Sequence, residues 1–210
     1  MRKHRLIDLA VFVAGSLLLS GLGQAQQADP PVETTLSYWF TPLAVARTFQ
    51  QACVLTGGEE SAAVDWALSQ GFDPAEATRG NVDGLLRGEP GSVLAAPGTR
   101  GRVLLAAAAG RQCTVWVDQM AGPLLRNAVI EALQSLTSKG ARLQLQVDRN
   151  FERAGAWRNQ MQWRYRAVGA SSDLGLGAVT TLSDGPATQA LNAAPLPATP
   201  AFAPDGMPTR

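Results

Sequence analysis

The sequence predicts an α+β fold in which helices pack on one face of an antiparallel sheet, within a single disulfide-tied domain. Three observations predict it. Apolar residues recur at helical spacing in the first third of the chain and again over 123–138, and a period-two alternation takes over after Gly140. The only two cysteines, Cys53 and Cys113, fall on an expected helix and an expected strand. Because helices cluster early and strand pairs come late, a doubly wound parallel sheet is disfavoured, and a sheet of about four to six strands is expected.

The N-terminus reads as an export signal over 1–25. Arg2, Lys3, His4 and Arg5 form a basic head, Leu9 to Leu19 an apolar stretch, and Gly23-Gln24-Ala25 a small-x-small cleavage site before Gln26. The apolar run falls short of the roughly 20 residues that cross a bilayer. No cysteine follows it that could be acylated, and Arg2 and Arg5 are not adjacent as a twin-arginine signal requires. A mobile lead is expected over 26–32, the domain over 33–184, and a Pro/Ala-rich disordered tail over 185–210.

Removal of the signal takes away His4, the single histidine, and with it most familiar catalytic and metal-binding chemistry. It also removes Arg2, Lys3, Arg5 and Asp8, which brings the formal charge from +1 to −1. A chain so balanced has no net field to draw in nucleic acid. Lys139 is the one lysine left, at an expected helix end before Gly140. Ser135 stands four residues before it, so a serine-lysine dyad can be drawn, but an exposed helix terminus lacks the desolvation that lowers a lysine pKa.

In the mature chain Thr41-Pro42 provides a cap residue and a first-turn proline for a helix to about Val54, with Phe49 and Cys53 on one face. After Gly57-Gly58 a second helix spans 59–70, and Asp73-Pro74-Ala75-Glu76 has the form of a capping box opening a third helical turn. Glu59, Glu60, Asp65, Asp73 and Glu76 make this region acidic, yet the alternation of a calcium loop is missing and helix dipoles account for acids at helix starts. Residues 102–109 and 113–117 flank Gly110-Arg111-Gln112, a hairpin with a three-residue turn. No phosphate-loop pattern occurs; Gly175-Leu176-Gly177 comes nearest and lacks its third glycine.

Leu125, Val129, Ala132, Leu133 and Leu136 mark the clearest amphipathic helix. Beyond Gly140, Leu143, Leu145 and Val147 alternate with Arg142, Gln144 and Gln146, and Met161, Trp163, Tyr165 and Ala167 alternate with Gln162, Arg164 and Arg166. Both read as strands with one wet face. Between them 149–159 is expected to be a long connection, and 178–182 a third strand. The connection carries Phe151, Arg153, Trp157 and Arg158, the candidate ligand surface, since large aromatics in a loop are costly to leave in water.

An even cysteine pair in an exported protein implies a structural disulfide, Cys53-Cys113, because redox pairs stand close in sequence. The layout Phe49-x3-Cys53 followed by Cys113-x-Val115 resembles a group of small, exported, uncharacterised proteobacterial proteins over about 41–117. The resemblance implies a bacterial envelope setting and carries no functional residue. With no nucleophile-base pair visible, the expected function is non-catalytic binding or assembly in the periplasm or outside the cell. The expected partner is an envelope protein, lipid or glycan, with no cofactor and no catalytic or metal site. The alternative is a hydrolase or lyase working through carboxylates alone.

Overall fold

The computed structural model describes residues 37–75 and 84–197. The expected signal and mobile lead, and the tail beyond 197, lie outside the described residues. A short 3₁₀ turn, Tyr38–Phe40, leads into α1, Pro42–Thr48, capped as expected by Thr41, whose Oγ1 accepts from the Ala44 amide at 3.2 Å. The helix continues as a π-helical turn, Phe49–Val54. Helix α2 spans Glu60–Ser69, and α3, Gly122–Thr137, is the amphipathic helix, burying Leu125, Val129, Leu133 and Leu136.

The strands are β1 (Asp73–Pro74), β2 (Gly91–Ala95), β3 (Val103–Ala108), β4 (Gln112–Ala121), β5 (Arg142–Arg153), β6 (Ala156–Arg166), β7 (Leu174–Thr181) and β8 (Pro186–Pro195). They form one antiparallel sheet in the order β1-β2-β3-β4-β8-β7-β6-β5. Two four-stranded meanders thus meet at the β4-β8 pair, and α3 carries the chain from the end of the first to the start of the second.

This corrects the expected fold class. Among the described residues strand exceeds helix, 42% against 29%, the sheet has eight strands rather than four to six, and the helices do not form a layer packed on a sheet face. The described part of the chain is mainly antiparallel β. The main hydrophobic cluster lies at the middle of the sheet, where Phe49, Leu125 and Leu133 join Val115, Leu176 and Leu191. Most of β5 is exposed on both faces. Cys53 and Cys113 are disulfide-bonded within this cluster, with Cα atoms 5.3 Å apart, as the pair and its spacing led us to expect.

Three further expectations are corrected. Residues 73–74 pair with β2 instead of opening a helix. The long connection over 149–159 does not exist: β5 and β6 run into it from both sides and join through Ala154-Gly155, both with positive φ (51° and 73°). That is the twist a two-residue hairpin turn requires. Most consequentially, the expected disordered tail begins with β8, which lies between β4 and β7. Pro186 and Pro195 stand at its two ends, so they cost the ladder little, while Gln189, Leu191 and Ala193 point into the core.

Candidate functional site on the open sheet face

Alternation along each strand sends one set of side chains to the main cluster and the other to the opposite face. On that opposite face the register can be read straight across the sheet. One row runs Thr114, Asn192, Gly177, Gln162, Val147 over β4, β8, β7, β6 and β5. The next runs Leu104, Trp116, Ala190, Val179, Gln160, Arg149 from β3 to β5. A third includes Ala194, Gly175, Arg164 and Gln144.

Where the first and third rows meet, the face sinks into a hollow of about 390 Å³ lined by Gln146, Gln162, Arg164, Gly175, Gly177, Asn192, Ala194 and Leu196 among others. The two glycines make it possible. A Cβ on Gly177 would lie 2.4 Å from Asn192 Oδ1, and one on Gly175 would lie 2.9 Å from Leu196 Cδ2. A glycine inside a strand weakens it unless something approaches closely, and here two neighbouring side chains fill the space a methyl would take. Among the described residues, the side-chain amides of Gln146, Gln162 and Asn192 have no hydrogen-bond partner.

The cation at the rim, Arg164, is engaged in an ion pair. Arg164 and Arg166 both hydrogen-bond and ion-pair with Asp173, which is only 4% exposed. The Arg166 hydrogen bond, reinforced by Arg164, holds the Asp173 carboxyl below the usual carboxylate range, and the same contact raises Arg166 further. Asp173 is therefore an ionised structural anchor, unsuited to donate a proton near neutral pH. Burial pushes the neighbouring Tyr165 hydroxyl up.

The residues singled out from sequence are divided by the hairpin. Phe151 stands opposite Arg158 and Arg153 opposite Ala156, so Phe151, Arg153 and Arg158 share the open face. Trp157 stands opposite Glu152 and points to the other side, 57% exposed. The four do not converge. Arg158 is committed to structure, its Nη1 donating to the Thr188 carbonyl at 3.2 Å.

Other candidates also resolve into structural roles. Ser135 accepts from Gln50 Nε2 at 2.9 Å and donates to the Ala132 carbonyl, and no hydrogen bond joins it to Lys139. Glu59 pairs with Arg111 at 2.9 Å, and Glu60 accepts from Ser92. Among the described residues no three His, Cys, Asp or Glu side chains gather as a metal site.

No protein-family model and no curated protein matches this chain. The layout around Cys53 and Cys113 therefore stands as a resemblance without an attached function, and the open face must be read from its own chemistry. Asn192 and Ala194 lie in the segment whose composition predicts a tail, so the sequence alone does not point to them. The signal that could have found the hollow is the Gly175-x-Gly177 spacing, which places two glycines on one face of a strand.

Proposed function

We propose that the protein is a non-catalytic binding protein of the bacterial envelope, exported to the periplasm or beyond, whose open sheet face holds a neutral, polyhydroxylated ligand of the glycan class. The observation that carries this reading is the convergence of Gln146, Gln162 and Asn192 on one glycine-floored hollow, without hydrogen-bond partners among the described residues. Each amide offers both donors and an acceptor, which is what a hydroxyl needs. Arg164 is engaged by Asp173 in a hydrogen-bonded ion pair, so the amides are the groups the hollow offers to a ligand, which favours a neutral ligand over an anion. A hollow of a few hundred Å³ in which a small number of polar groups converge beside apolar walls is the usual form of a ligand site.

The setting is supported by chemistry of the chain. A disulfide suits an oxidising compartment, and among the described residues no helix is long and apolar enough to cross a membrane. The test is binding of the purified protein to an array of neutral and acidic oligosaccharides, beside Asn192→Ala. Selective retention of neutral glycans by the wild type, lost in the variant, supports the reading. Retention of none, or equal retention by both proteins, overturns it.

A further inference from the structure

Trp116 is a large, partly buried side chain that, among the described residues, belongs to neither hydrophobic cluster. It lies on the open face, one strand over and two residues along from Asn192, a diagonal separation of roughly 7–8 Å. Ala190 and Val179 continue its row toward Gln160. Val179 likewise belongs to neither cluster. An apolar strip, Trp116, Ala190 and Val179 on β4, β8 and β7, thus runs beside the row that carries Asn192 on β8 and Gln162 on β6.

We infer that this strip is the stacking side of the same site, and that the ligand is an extended β-linked oligosaccharide laid across the strands with one pyranose ring on Trp116. The inference rests on the glycan reading above and specifies its ligand. A pyranose has an apolar face of axial C–H groups and a polar hydroxyl edge, so it matches a surface whose apolar and amide rows lie side by side. Two strand spacings of about 4.8 Å each give a strip of roughly 10 Å from Trp116 to Val179, room for about two rings rather than one. Tryptophan supplies a wide, flat apolar surface with few rotamers to freeze. The apolar wall of Ala194 and Leu196 beside the amides suits an acetamido methyl, which selects the probe.

The experiment is calorimetric titration of the protein with chitohexaose and with N-acetylglucosamine, for wild type, Trp116→Ala, Trp116→Phe and Asn192→Ala. Wild type is expected to bind the hexamer at least tenfold more tightly than the monomer. Trp116→Ala should lose that advantage while keeping the monomer affinity, and Trp116→Phe should keep most of it; thermal melts establish that each variant is folded. If Trp116→Ala leaves hexamer affinity unchanged while Asn192→Ala weakens it, the stacking strip is wrong and the hollow stands. If wild type gains nothing from added rings, the extended ligand is refuted. If wild type binds neither sugar while the array retains other glycans, the β-linked acetamido ligand is refuted; if the array is also blank, the glycan reading falls with it.

Discussion

Gln189 offers the sharpest test of how the sheet is held together. It is fully buried, and its amide bridges three strands. Nε2 donates to the Met120 carbonyl at 2.7 Å, to Thr181 Oγ1 at 3.1 Å and to the Ala187 carbonyl at 3.2 Å, while Oε1 accepts from the Thr181 amide at 2.8 Å. These contacts lie where regular pairing fails. The β4-β8 register shifts between Val117 and Met120, beside Gln119 at φ 61°, and the β7-β8 ladder ends at Val179. Gln189→Leu keeps the volume and removes every hydrogen bond. The Thr181 amide then loses its acceptor and the Met120 carbonyl a donor, both in the interior. At about 1–3 kcal/mol for each of these two buried groups left short, the loss should be roughly 2–6 kcal/mol. Urea denaturation should show a lower midpoint with an unchanged slope. A loss below about 0.5 kcal/mol, the scale of an ordinary surface substitution, would refute the bridging role.

Further outcomes follow from single contacts. Trp163 is 6% exposed within the main cluster, so Trp163→Ala should cost about 3–5 kcal/mol, whereas Trp157→Ala, at a side chain 57% exposed, should cost less than about 0.5 kcal/mol by the same denaturation assay. Because the folded Asp173 carboxyl sits below its unfolded value near 3.9, its contribution is present above that value and is lost as pH falls through the folded pKa. Asp173→Asn should therefore lower stability at pH 7 and flatten the decline below about pH 4, as read from melts between pH 2 and 7. Gly177→Ala should displace Asn192 and weaken glycan retention with little change in melting temperature, since alanine suits a strand interior at least as well as glycine.

The helices and the disulfide were legible because their signals are local. Thr41-Pro42 fixes a start, Leu125 to Leu136 carry a clean apolar stripe, and two cysteines leave one pairing. The sheet was less legible because its strands depart from the half-buried pattern. In β5 both faces are wet, so Arg149 to Arg153 read as loop. In β8 the inward positions are Gln189, Leu191 and Ala193, too polar and too small to register as an apolar period. Alanine, asparagine and proline also have low strand propensity, and tertiary pairing on both sides overrides it. The site inherits that blindness. Its amides come from three strands brought together by register, and nothing in the spacing of Gln146, Gln162 and Asn192 announces that they meet. Phe151 and Trp157 carry the stronger local signal, and alternation along the hairpin separates them.

The most direct test of the central claim is an equilibrium titration of the purified protein with a neutral oligosaccharide selected from the array, repeated with Asn192→Ala and Gln162→Ala. The account predicts saturable binding by the wild type, weakened at least tenfold by either substitution, with melting temperatures unchanged because neither amide has a hydrogen-bond partner among the described residues. Binding of equal strength in all three proteins would place the ligand elsewhere and contradict the account.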